Sequence, residues 1–107
     1  MSRRLYKKYI PMTETAYYIL LALKKERHGY GILGWVQERT NDRLKLGAGT
    51  IYGTLSKMDN DGLIEAVSET DRRKTYIITP LGLNIMQTEL SRLEELLFNG
   101  RAEVSKA

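Results

Sequence analysis

The stretch that most constrains this chain is Ala16 to Leu23, eight consecutive apolar residues. It is too short to span a bilayer, which takes about 20 such residues, so it has to be buried in protein. Thr13 suits a helix N-cap because its hydroxyl can accept an orphan backbone N–H, and Glu14 suits the dipole of a first turn. The spacing predicts a helix over Thr13 to Arg27, with Ala16, Ile19, Leu20 and Leu23 at i, i+3, i+4 and i+7 as its core face. Tyr17, Tyr18, Leu21 and Ala22 make the remaining surface apolar as well. A helix apolar nearly all round needs cover on more than one side. In a chain of 107 residues, the size of one domain, a second subunit is the expected cover, with Tyr17 and Leu21 at the contact.

The elements that follow are short and sharply punctuated. His28-Gly29 marks a turn, and a second helix is expected over about Gly31 to Thr40, with Tyr30, Leu33 and Val36 inward and Asn41-Asp42 closing it. Leu44 to Leu46 has the makings of a very short strand. A third helix is expected over Gly49 to Asn60, stopped by Gly62 as a C-cap glycine. Two strand-like runs, Leu63 to Ser68 and Thr75 to Ile78, flank a polar hairpin tip from Glu69 to Lys74. Thr79-Pro80 then opens a last helix, Thr79 as N-cap and Pro80 at the first helical position, running to Asn99-Gly100. The fold class is therefore mainly α with a small β-hairpin wing, a winged helix-turn-helix with one C-terminal helix for dimerisation. Residues 1–12 read as a basic arm, 13–80 as the winged-helix domain, 81–100 as the dimerisation helix and 101–107 as a tail.

Charge is unevenly placed. The net charge is +4, from 17 basic and 13 acidic residues. Residues 1–10 hold Arg3, Arg4, Lys7 and Lys8 with no acid, and Arg43 to Lys57 holds three cations with no acid. On the third helix, Ile51, Leu55 and Met58 form the buried face, while Thr50, Gly53, Thr54 and Lys57 share another. That second face is small, hydroxyl-bearing and basic. It can enter a major groove, where hydroxyls and a lysine donate to phosphates or base edges and a glycine permits close approach. Tyr52 can pack at the helix–wing junction, donate to a phosphate, or do both. Arg72, Arg73 and Lys74 repel one another on the hairpin tip, which suits a wing lying along a phosphate backbone. In the last helix Leu83, Met86, Leu90, Leu93 and Leu97 are spaced 3, 4, 3, 4, a coiled-coil seam that points to a partner subunit. A dimer sets two recognition helices about one DNA turn apart, ~34 Å.

Other chemistries lack their residues. There is no cysteine and one histidine, His28, so thiolate metal sites and disulfides are excluded and no metal or cofactor is expected. Residues 29–34 match GxGxxG, but that fingerprint needs a strand before it inside a parallel sheet; here small residues serve helix packing. No nucleophile pairs with His28, so no catalytic residue is assigned. No membrane or secretion signal is read, and a cytoplasmic protein is expected.

Three stretches carry a family resemblance: Ile19 to Leu23 with His28-Gly29-Tyr30-Gly31-Ile32; Gly49 to Leu55 through Asp61-Gly62-Leu63-Ile64; and Arg72-Arg73-Lys74-Thr75-Tyr76 through Thr79-Pro80-Leu81-Gly82. In these the chain resembles the PadR family of bacterial transcriptional repressors, in its short-tailed group. The resemblance implies a homodimer on a palindromic double-stranded operator, contacts from Thr50, Tyr52, Lys57 and the wing cations, and release by a small-molecule effector. Gly53 departs from the family's usual proline, Thr70-Asp71 from its glycine-rich wing tip, and the only tryptophan, Trp35, lies on the second helix rather than the last. The contrasting reading is a winged-helix protein–protein adaptor that binds no DNA.

Overall fold

The structure, a computed structural model, describes residues 3–106. Met1, Ser2 and Ala107, the ends of the expected arm and tail, lie outside the described residues. The N-terminal basic stretch is a helix rather than an arm, α1 (Arg3–Tyr9). Leu5 and Tyr9, four apart and so on one helix face, are each 5% exposed in the common core. The cations around them conceal this short apolar spacing from any reading by charge.

The long apolar run forms α2 (Glu14–Ala22), and the Thr13 hydroxyl caps it by accepting the Ala16 N–H at 3.0 Å. The helix stops five residues short of Arg27, because Arg27 is engaged elsewhere. Its Nε donates to the Ala22 carbonyl at 2.8 Å, and its backbone N–H and C=O pair with Tyr76 at 3.2 and 2.9 Å. Ile19, Leu20 and Leu23, of the expected core face, are fully buried by their own chain, and Ala22 of the remaining surface is buried there too. Tyr17 and Leu21 remain half-buried against the same core.

His28 caps α3 (Gly29–Arg39), its Nδ1 accepting the Gly31 N–H at 3.3 Å. The inward face of α3 is Gly29, Ile32 and Val36, not Tyr30, Leu33 and Val36. Tyr30 is exposed and Leu33 half-buried. The helix turns its glycine toward the next helix because Tyr52 lies across that spot: a Cβ on Gly29 would sit 2.7 Å from the Tyr52 ring. Asn41 and Asp42, at φ 51° and 63°, end the helix in left-handed backbone. Leu44 to Leu46 is not a strand; Leu46 simply drops into the core.

Helix α4 (Ala48–Asn60) buries Ile51, Leu55 and Met58, the expected stripe, and Gly62 at φ 80° turns the chain out of it. Strands β1 (Ile64–Thr70) and β2 (Arg73–Ile78) form an antiparallel hairpin with a bulge between Ala66 and Ser68. Thr70 pairs with Arg73, so the turn is Asp71-Arg72 alone rather than a six-residue tip. The Thr79 hydroxyl starts α5 (Pro80–Val104), accepting the Gly82 N–H at 3.1 Å and donating to the Gly62 carbonyl at 2.6 Å. Any Cβ on Gly82 would run into the Leu63 carbonyl, so glycine is what lets α5 seat on the root of the wing. The helix continues past Gly100 to Val104, carried by the helix-favouring Arg101, Ala102 and Glu103. The result is a mainly α winged helix-turn-helix with a long last helix.

Candidate nucleic-acid interface

On α4, Thr50, Gly53 and Lys57 are exposed and Thr54 is half-buried. A Cβ on Gly53 would meet nothing within 4 Å, so a ligand surface can approach the backbone there. No carboxylate lies on the helix until Asp59. Tyr52 spans both of its expected roles in part. Its ring rests against Gly29 and stands edge-on to Tyr30 at 6.5 Å, yet it is 48% exposed and lines a cleft between α4 and the wing.

That cleft, about 230 Å³, is walled by His28, Tyr52, Arg72, Arg73, Lys74 and Tyr76, with Glu69 its one carboxylate. The fold thus brings the α4 tyrosine and all three wing cations to one concavity. Arg72, Arg73 and Lys74 are exposed and, among the described residues, paired with no carboxylate. Arg73 lies over the Tyr30 ring at 5.7 Å. Asp71 and Arg72 take φ 51° and 68°, both positive as a two-residue type I′ turn requires. Glycine or asparagine is the relaxed choice there; an arginine in left-handed backbone costs about 1–2 kcal/mol.

The wing is held by groups the sequence did not reveal. Glu26 accepts hydrogen bonds from Thr75 Oγ1 at 2.6 Å and Ser68 Oγ at 3.2 Å, and the Ile78 N–H donates to the Leu23 carbonyl at 2.8 Å. Ser68 and Thr75 face each other across the hairpin, which becomes readable only once the register is known. Two guanidiniums lie over the Trp35 ring, Arg27 at 5.4 Å and Arg39 at 4.9 Å from its centroid, so the residue that pairs with the wing also rests on α3.

Helix α1 reaches the far end of α4. Lys8 Nζ and the Tyr9 hydroxyl each lie 2.7 Å from Asp61 Oδ2. The Lys8 ammonium, then the Tyr9 hydroxyl, hold the Asp61 carboxyl below the usual carboxylate range. Burial, reinforced by Asp61, pushes the Tyr9 phenol well above its ordinary value.

The stripe on α5 divides. Met86 is 2% exposed in its own core, which corrects its assignment to a subunit contact: the first turns of α5 are seated on the domain through Gly82. Leu83 and Leu93 are half-buried. Leu90 and Leu97 are exposed, as are Leu96, Phe98 and Val104 beyond the stripe. Glu89, a carboxylate, is 1% exposed. It receives Arg92 Nε and Nη2, each at 2.7 Å, and the Met12 N–H at 3.1 Å. The i,i+3 spacing of Glu89 and Arg92 was a signal for the ion pair, but nothing signalled Met12. Among the described residues no acidic or histidine cluster could hold a metal ion, and no helix is long and apolar enough to cross a membrane.

A model of the transcriptional regulator PadR-like family matches residues 19–88. The chain belongs to the PadR-like family of transcriptional regulators. The match runs from α2 through the wing into α5. PadR-like proteins are regulators of transcription rather than enzymes, which agrees with the absence of a catalytic assignment. The uncharacterized protein X of Lysinibacillus sphaericus is 32% identical over 84 residues, 72% of this chain and 77% of that protein. A transcriptional regulator from Clostridium thermocellum has a similar structure, with a TM-score of 0.69, 20% identity and 99% of both chains covered. A PadR-like regulator from Bacillus cereus matches with a TM-score of 0.69 at 18% identity, over 87% of this chain and 92% of that one. At these identities the two structures attest the PadR-like fold.

Proposed function

We propose that this chain is a homodimeric repressor that binds a palindromic operator and leaves it when a small-molecule effector binds. The observation that carries the reading is that the unpaired cations Arg72, Arg73 and Lys74 meet Tyr52 of α4 in one cleft, on a helix whose exposed Thr50, Gly53 and Lys57 bring no carboxylate before Asp59. Thr50, Gly53 and Thr54 enter the major groove, Lys57 and Tyr52 reach its edge, and the wing lies on the backbone. The strained Arg72 supports this: a site that keeps a costly backbone conformation at a charged tip is one where the charge has a use. The apolar end of α5, with exposed Leu90 and Leu97 and half-buried Leu93, supplies the pairing surface, joined by half-buried Tyr17 and Leu21 of α2. A cleft of about 290 Å³ between α2 and α5, lined by Tyr17, Tyr18, Glu89, Arg92 and Leu93, is where an effector would disturb that pairing. Repression follows from the family resemblance, and such a regulator acts in the cytoplasm.

The test is a gel shift on the DNA upstream of the chain's own gene, against unrelated duplexes. Preferential binding with steep salt dependence is expected, and Thr50→Ala or Thr54→Ala should change which sequences are preferred. Equal affinity for all duplexes would remove specific repression. No duplex binding even at low salt, with a protein recovered by pull-down, would favour the adaptor.

A further inference from the structure

Four of the seven residues of α1 are cations, Arg3, Arg4, Lys7 and Lys8. Lys8 has Asp61; Arg3, Arg4 and Lys7 pair with no carboxylate among the described residues. On a free arm such charge would be solvated and uninformative. Here it is fixed in place. Leu5 and Tyr9 anchor α1 in the core, and the Tyr9 hydroxyl latches it to Asp61 just past the end of α4.

The latch sets α1 beside the lysine of the outward α4 face. Lys57 Nζ lies 5.4 Å from the Tyr9 ring centroid, and Lys8 Nζ lies 5.9 Å from the same ring. Two ammonium groups therefore share one aromatic ring, and the ion pair formed there is that of Lys8 with Asp61, on which the Arg4 charge also acts. Gathering like charges raises the energy of the folded chain, and an external anion lowers it. Arg3 with Lys7, and Arg4 with Lys8, repeat at one-turn spacing, which presents lines of charge. Lines of charge match a phosphate chain, whereas base edges call for a fixed pattern of donors and acceptors.

We propose that α1 and Lys57 form one basic surface that grips the phosphate backbone of duplex DNA beyond the base pairs reached by α4 and the wing. The inference rests on the DNA-binding reading above and extends its footprint. The experiment compares the full chain with its Arg3→Gln/Arg4→Gln/Lys7→Gln variant, all exposed positions, on the duplex protected upstream of its own gene. Each protein is titrated across salt on that duplex with its flanks and on the same duplex trimmed to the core site. On the flanked duplex the slope of log affinity against log salt should be shallower for the variant by roughly 5, at about 0.9 for each phosphate no longer neutralised by the three cations of each of two subunits. Its order of sequence preference should be unchanged, and on the trimmed duplex the two proteins should bind alike. An equal slope on the flanked duplex, or an altered sequence preference, overturns the proposal. Thermal unfolding checks that the variant is folded, and Lys7→Gln alone, expected to lower the slope by about 1.8 for the two subunits together, decides the matter if it is not. Binding by the native chain with no effect of the variants rejects the α1 contact alone; no binding by the native chain rejects the DNA reading as well.

Discussion

Glu89 shows how much a single residue can tie together. It is the only charged side chain buried among the described residues, and it joins the start of α2, through the Met12 N–H, to Arg92 on α5. Burial alone would push its carboxyl up. The Arg92 guanidinium, with help from the Met12 N–H, overrides that and holds it below its ordinary value of 4.5. A carboxyl whose folded value is depressed stabilises the fold above its unfolded value, and the contribution is lost as pH falls through the folded one. Glu89→Gln should therefore unfold at a lower temperature than the native chain near neutral pH, and the gap should shrink well below pH 4.5. Thermal unfolding of both proteins across that range checks this; a gap independent of pH would mean the ionised pair contributes nothing.

Among the elements, the wing makes the sharpest trade. Its turn holds Arg72 at φ 68°, where glycine is unstrained. Arg72→Gly should raise stability by about 1 kcal/mol, the relieved strain less the folding entropy that glycine costs, while lowering the salt slope of DNA binding by roughly 1.8 for the two subunits of the dimer. Denaturant unfolding and a salt titration measure the two sides, and a variant that loses both stability and affinity would deny the trade. Helix spacing made α2, α4 and the start of α5 legible, because Ile51, Leu55 and Met58 or Ile19, Leu20 and Leu23 repeat with the period of one buried face. Turn chemistry gave the ends at Thr79-Pro80 and Gly62. What stayed hidden depended on partners distant in sequence. The rotation of α3 is set by Tyr52 on another helix, the end of α2 by Tyr76 on the wing, and the docking of α1 by Asp61 beyond α4. The α4 face and wing cations could be named from charge and spacing, but the cleft that sets those cations around Tyr52 exists only once the hairpin has folded back.

At the scale of the whole molecule, α5 decides the shape. The chain extends 59 × 35 × 20 Å, and α5 with its 25 residues is about 37 Å long at 1.5 Å per residue. Ile85, Met86 and Glu89 are buried, and at about 100° per residue the same face continues through Leu93, Leu96 and Leu97. The domain covers its beginning and leaves its end bare, which supports a second copy as the missing cover. Leu97, 54% exposed, is a cleaner probe than Leu93, which also packs on its own chain. Sedimentation should give twice the monomer mass for the native protein and the monomer mass for Leu97→Glu, with unfolding temperature little changed; a persistent dimer would move the interface elsewhere. Helix α5 also has no break between Gly82, where it is wedged against the wing, and its free end. In the proposed dimer it would behave as a stiff lever, and the angle at which two levers cross would be the ruler for the distance between reading heads. A tilt of about 5° over that length displaces the far end by about 3 Å, roughly one base-pair step of ~3.4 Å. A ligand wedged beside Tyr17 and Leu93 would not need to touch the reading heads to put them out of step with the helical repeat of DNA.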